Sequence, residues 1–330
     1  MDPVIIFSSV RKGRLLSIYT DLRFGDVLKN FNLHILSESK TMVEIHQISS
    51  VKVVLVSINV VSGVLSVAGN SITLLALYRT ASLRKNTSNF FLASLALADL
   101  TVGLFANSLY LALCGFISLQ EIQELKNAET AVWLLTTTAS TFNLCFVAVD
   151  RYIAILHPLR YREIITKKRI LWSVICMWIF TILFSTVSFY LPYKHLPKLW
   201  IIGSLVTFFL PLAVLLLCYY RVYNVAKAQS SWWKRHRTFN CPVLAAEELK
   251  HRKAAVTFAI VTGLFVFLFL PTLVVNFLAI LLRGYCHRFR INIAWFWVAA
   301  ISYSSSAINP WIYAIRMTDF RRAIKQILCS

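Results

Sequence analysis

The 330 residues are 58% hydrophobic and only 15% charged, with a mean hydropathy of +0.66, well above that of a soluble globular domain. A water-soluble enzyme fold is thereby excluded, and the lipid bilayer becomes the expected solvent. The net charge of +20 matches a nucleic-acid binder in sign alone: it lies between apolar stretches, with no recognisable nucleic-acid fold to display it.

In chain order, residues 1–50 mix Arg11, Lys12, Arg14 and Arg23 with short apolar runs and lack the long apolar core of a signal peptide; a loosely ordered extracellular tail is expected. Residues 51–316 form one membrane domain. A spanning helix needs about 20 mostly apolar residues, and seven stretches qualify: Val53 to Tyr78, Asn89 to Cys114, Thr130 to Tyr152, Ile170 to Leu191, Leu199 to Val225, Val256 to Leu282 and Ile291 to Ile315. Residues 317–330 close the chain as a short amphipathic eighth helix with Phe320, Ile324 and Leu328 on one side and Arg321, Arg322 and Lys325 on the other, suited to the inner leaflet. The fold class is therefore all-α, a seven-helix membrane bundle. With the N-terminus outside, the inner loops and tail carry 20 Lys and Arg against six in the outer loops. This bias puts the C-terminus in the cytoplasm and adds attraction to anionic lipid.

Ionisable groups at bilayer depth mark functional candidates. Asp99 stands mid-helix in the second span, with Asn70, Ser140, Ser305 and Asn309 at similar depth. Either it is a protonated packing residue, or it is a carboxylate that binds a sodium ion with Ser140 and Asn309, hard oxygen ligands for a hard cation. Asp150-Arg151-Tyr152 ends the third span and Pro158-Leu159 follows; alone, the Asp-Arg pair reads equally as a snorkelling pair. Pro211, Pro271 and Pro310 interrupt the fifth, sixth and seventh spans, each removing a backbone donor and bending its helix.

Gly69-Asn70, Leu95 to Leu100, Asp150-Arg151-Tyr152, Trp178, Pro211 with Tyr219, Pro271, and Asn309-Pro310-Trp-Ile-Tyr313, in that order, resemble the marks of rhodopsin-like (class A) G protein-coupled receptors. The resemblance implies a receptor, not an enzyme, at the plasma membrane. Arg151 would be restrained by Asp150 at rest and meet a heterotrimeric G protein when helix six swings outward, with Tyr219 and Tyr313 settling beside it. Tyr152, Pro158 and Leu159 would complete the coupling surface, Leu159 as an apolar plug. Two departures stand out. The position of the family's outer disulfide on helix three is Lys126, with a short loop near Pro192 to Lys198, and the usual Trp before the helix-six proline is Phe269. The first is similar to melanocortin, cannabinoid and lysophospholipid receptors, while Asn309 to Leu328 looks more like adenosine receptors, so the chain is placed loosely in that branch.

Helical spacing puts Trp133, Thr137 and Ser140 on the stripe of Arg151. Phe265, Phe269, Thr272, Leu273 and Asn276 share one face of helix six, and Ser302, Ser305 and Asn309 one face of helix seven, beside Tyr303. Glu129, Trp133, Thr137, Phe269, Leu273, Asn276, Ser302 and Tyr303 thus outline an outer cavity, mostly apolar and aromatic; the same positions also serve ordinary packing. Biogenic amines are disfavoured, because receptors for them carry an Asp at the place of Trp133. Retinal is disfavoured too, because helix seven has no Lys. A lipid or nucleoside-like ligand is expected, with a basic peptide held by Glu129 and Glu124 as the alternative.

No protein cofactor is expected beyond the sodium ion. All seven histidines lie in tails, loops or helix ends, which leaves no intramembrane zinc site, and no repeated halves suggest a transporter. Cys114 and Cys286 fall near the outer surface, where bridged and unbridged states both remain open. Cys329 is a candidate for palmitoylation. An epitope tag at the N-terminus should be stained on intact cells and one at the C-terminus only after permeabilisation; the reverse pattern would refute the charge-based topology.

Overall fold

The computed structural model describes residues 24–115, 122–190, 196–235, 242–282 and 285–328. Its described elements are α1 (Phe24–Arg79), α2 (Ala81–Lys85), α3 (Asn89–Thr101), α4 (Asn107–Gly115), α5 (Gln123–Leu156), α6 (Tyr161–Ile164), α7 (Lys167–Tyr190), α8 (Leu196–Ser204), α9 (Leu210–Arg235), α10 (Pro242–Leu281), α11 (Tyr285–Arg316) and α12 (Thr318–Leu328). Strands are absent among the described residues, as lipid requires: only a helix satisfies every backbone group within its own segment. The described helix begins at Phe24, inside the stretch expected as a loose tail; that stretch has no proline after Pro3. The chain divides into two compact units, Met1–Val54 and Leu55–Ser330, and everything below concerns the second.

Among the described residues, six helices are long and apolar enough to cross a membrane: Ser50–Arg79, Asn89–Gly115, Gln123–Leu156, Lys167–Tyr190, Ile201–Val225 and Val256–Leu281. They match the expected spans to within a few residues, apart from the third, which runs about two turns further outward. The seventh expected span is α11, which packs along α10. Its lower apolarity has a local cause in the buried Ser302, Ser305, Ser306 and Asn309. Large apolar side chains such as Val64, Leu183, Leu217 and Phe267 face outward, each more than 60% exposed. The interior combines apolar side chains such as Leu92, Leu95 and Leu144 with many hydroxyls and amides and the Asp99 carboxylate, polar groups that join helices to one another.

Helix α5 is the axis of the bundle, touching α3, α7, α9 and α10. Trp178 Nε1 donates to Ser94 Oγ at 3.1 Å, tying α7 to α3. Of the three prolines, Pro271 and Pro310 lie inside their helices. Pro211 follows a π turn, Leu205–Phe209: a wider turn absorbs the clash of the ring with the preceding carbonyls. A second π turn, Val102–Ala106, separates α3 from α4. Both turns have consequences for the side chains beyond them.

The first span meets the seventh at its kink. A Cβ on Gly69 would lie 2.9 Å from Pro310 Cγ, so only glycine allows this approach. The adjacent Asn70 Nδ2 donates to Ser306 O at 3.1 Å, one of the carbonyls near the turn that Pro310 disturbs. Gly69→Val should destabilise the bundle by about 1–3 kcal/mol, read as a lower thermal unfolding temperature in detergent, with Gly69→Ala in between.

Candidate functional site

At the inner mouth, Asp150 and Arg151 are buried. Arg151 Nε donates to Asp150 Oδ2 at 2.9 Å, and Nη2 contacts the same oxygen. Nη2 also donates to Ser88 Oγ at 2.6 Å. Tyr161 Oη donates to Asp150 Oδ1 at 2.8 Å, and Ser88 Oγ lies 2.7 Å from Tyr161 Oη and 3.2 Å from Asp150 Oδ1. Burial, with the Asp150 carboxylate beside it, pushes the Tyr161 phenol up to about 12, so it remains a protonated donor at neutral pH. The arrangement is a four-residue knot in which the third span, the start of the second and the loop helix α6 hold one guanidinium in place. Sequence reading does not single out Ser88 or Tyr161. A hydroxyl one residue before a helix and a tyrosine in a loop carry no signal until the fold brings them to Asp150.

Tyr219 and Tyr313 are engaged elsewhere. Tyr219 Oη lies 3.3 Å from Thr262 Oγ1, and the Tyr313 ring packs against Phe258 and Phe320 with centroids 6.0 and 6.1 Å away. Leu159 is 96% exposed beside Pro158, and Tyr152 is half-buried against Ile155 and Val222. The conformation is one in which Arg151 is restrained and an apolar side chain stands exposed at the same end of the bundle.

Mid-bundle, Asp99 Oδ1 accepts from Ser306 Oγ and Oδ2 from Asn309 Nδ2, both at 2.7 Å. Ser66 Oγ donates to Asp99 O at 2.8 Å. Ser140 Oγ is buried and has no hydrogen-bond partner. Ser305 donates instead to Ser302 O at 2.7 Å, so Ser306, one residue on, takes the place that spacing suggested for it. No group of three or more His, Cys, Asp or Glu that could hold a metal occurs among the described residues. Any ion here depends on one carboxylate and neutral oxygens.

In the outer half, the Trp133 indole is 1% exposed and stacks on Phe269 at 5.9 Å. Phe269 in turn stacks on Phe265 at 5.4 Å and on Phe208 at 6.0 Å. Thr137, Leu273 and Asn276 are buried nearby on the expected faces, and Asn276 Nδ2 has no partner. The Ser302 hydroxyl lies 2.5 Å from Thr272 Oγ1 and donates to Val298 O at 2.8 Å, so it joins α11 to α10. Tyr303 packs edge-on to Tyr110 at 6.3 Å. Glu129, half-buried, lies within electrostatic reach of both phenols, while Glu124 is exposed. Sequence reading misses Tyr110, and also Thr207, whose buried hydroxyl is unpartnered in the π turn before Pro211. Cys329 and the Cys286 side chain lie outside the described residues.

Residues 69–313 match the model of the 7 transmembrane receptor (rhodopsin) family. The Homo sapiens histamine H2 receptor is 30% identical over 304 residues, covering 83% of this chain and 80% of its own. The Rattus norvegicus 5-hydroxytryptamine receptor 4 is 27% identical over 321 residues, covering 84% and 76%. The Drosophila melanogaster dopamine receptor 1 is 30% identical over 317 residues, covering 80% and 60%. These relatives overturn the placement beside melanocortin, cannabinoid, lysophospholipid and adenosine receptors, and the expectation of a lipid or nucleoside-like ligand falls with it. A missing outer cysteine and a short loop are local features that few substitutions create, whereas identity over some 300 residues samples the whole bundle.

Removing the Tyr161 hydroxyl takes one hydrogen bond from Asp150. Tyr161→Phe should loosen the loop by about 1 kcal/mol, seen as roughly fivefold faster amide exchange across Tyr161–Ile164.

Proposed function

The chain belongs to the rhodopsin family of seven transmembrane receptors, and from that premise we propose that it binds a small extracellular organic cation in the outer half of the bundle and passes the signal to a heterotrimeric G protein. The cation is suggested by the relatives named for histamine, 5-hydroxytryptamine and dopamine, against the sequence expectation drawn from Trp133. The observation that carries the signalling half is the knot around Arg151: a guanidinium 6% exposed, restrained by Asp150, Ser88 and Tyr161.

A ligand shifts such a protein only by its differential affinity for two arrangements. Helix α10, bent at Pro271, is the moving element. Its outer half carries Phe269, Leu273 and Asn276 along the cavity, and Thr262 lies near its inner end. Outward movement of that end separates Thr262 from Tyr219 and Phe258 from Tyr313, freeing both tyrosines to turn toward Arg151. Arg151 then exchanges Asp150 for the G protein, and Pro158 and Leu159 complete the contact.

The proposal includes a sodium ion held by Asp99, Ser140 and Asn309. The unpartnered Ser140 hydroxyl fits a hard cation, which would favour the restrained arrangement by supplying counter-charge to Asp99. The chain stands at the plasma membrane with its N-terminus outside, α12 resting on inner-leaflet lipid and Cys329 acylated beside it.

Arg151→Ala should abolish ligand-dependent nucleotide exchange on purified G protein without reducing surface expression. Asp150→Asn should raise ligand-independent exchange by about tenfold, the scale of one charge-assisted hydrogen bond. An unaltered basal rate in Asp150→Asn would contradict the restraint.

A further inference from the structure

Residue 133 presents no acid, because its place is filled by an indole stacked into the aromatic layer of Phe269, Phe208 and Phe265. That layer occupies the bundle at this depth of α5. One helical turn further out on the same face stands Glu129. It makes no hydrogen bond or ion pair among the described residues, and its electrostatic neighbour of opposite sign is Lys126, a turn toward the surface. A carboxylate inside a spanning helix with no hydrogen bond or ion pair of its own is costly, and such a group marks a candidate for binding.

Three rings from two other helices, α4 and α11, pack on one another at the same end of the bundle. Tyr110, 1% exposed, is fixed by its hydroxyl, which donates to Phe296 O at 2.9 Å. It meets Phe296 edge-on at 5.6 Å and Tyr303 edge-on at 6.3 Å. Glu129 lies within electrostatic reach of the Tyr110 and Tyr303 phenols. One carboxylate with three aromatic side chains is the composition of an ammonium cage.

We infer that Glu129, Tyr110, Phe296 and Tyr303 form the cation subsite of this receptor, displaced one turn outward from residue 133, and that it prefers N-methylated over primary ammonium groups. The inference rests on the reading of the chain as a receptor for a small cation. A primary ammonium carries three N–H donors and needs as many acceptors. In this subsite most of the lining is ring surface: Phe296 has no polar side-chain atom, Tyr110 and Tyr303 have one oxygen each, and the single charged group is the Glu129 carboxylate. Methyl groups on nitrogen spread the positive charge over C–H surfaces that ring faces accept without hydrogen bonds. The aryl part of such a ligand would lie over Trp133, outside the stacked layer.

The test uses the purified full-length chain and three probes: phenethyltrimethylammonium, phenethylamine and the uncharged (3,3-dimethylbutyl)benzene, each titrated by thermal shift, since a ligand of the folded state raises its unfolding temperature by mass action. The quaternary probe should bind at least about tenfold more tightly than the primary amine, and the neutral isostere should be weaker than both. Glu129→Gln should weaken the quaternary probe at least about thirtyfold, with Glu129→Asp intermediate. If Glu129→Gln does not fold, Tyr110→Leu must lower affinity for the quaternary probe more than for the primary amine. Equal binding by Glu129→Gln and wild type, no preference for the quaternary probe, or no shift by either cation overturns the inference. Basal exchange in Asp150→Asn separates the two readings. If it rises while no cation binds, the subsite is wrong and the receptor stands; if it stays flat, the receptor reading itself is at fault.

Discussion

The neutralisation of Arg151 inside the inner mouth of the bundle is the constraint on which the rest depends. A guanidinium withdrawn from water must have a partner, and the low surrounding polarity makes an incomplete set of hydrogen bonds costly. Asp150 supplies the charge, Ser88 an oxygen, and Tyr161 saturates the carboxylate from the loop side. Such a pair adds little net stability over an apolar replacement. Its value lies in having an alternative: a group held by Asp150 and Ser88 in one arrangement is free to take others in a second.

The second arrangement is accessible because the seventh span is polar where a membrane helix is usually apolar. Asn70 from the first span, Asp99 from the second and Thr272 from the sixth all reach α11 through hydroxyls, amides or carbonyls. Polar seams of this kind hold helices together while allowing partners to be exchanged, whereas interdigitated apolar side chains resist sliding. The glycine at position 69 brings the first span against the Pro310 kink, so motion there is felt across the bundle.

Much of this is legible in the sequence. Six spans, the bent helices and the Asp150-Arg151 pair follow from runs of apolar residues, proline placement and the penalty on buried charge. The residues that stay hidden are those whose role depends on tertiary proximity. Ser88 and Tyr161 meet Asp150 from opposite sides of it in the chain, and Ser306 takes the place expected of Ser305 because both lie on the face of α11 that carries Asn309, where spacing alone does not decide which hydroxyl reaches Asp99. The outer cavity follows from ideal helical spacing only where that spacing holds, and it fails at Val102–Ala106 and Leu205–Phe209. Tyr110 and Thr207 sit beyond or within those turns. The branch is misplaced from sequence because single positions such as Lys126 and Trp133 are local features, whereas likeness over some 300 residues samples the whole bundle.

The two wide turns also separate the molecule's inward and outward problems. One additional residue in a turn rotates everything beyond it by about 100° relative to an unbroken helix. In the second and fifth spans the halves that carry Asp99 and Tyr219 can keep a fixed registry, while the opposite halves are set independently against a different group of neighbours. A lineage of such chains is thereby able to exchange one chemical message for another by editing outer-half side chains, leaving the machinery that reports the message untouched.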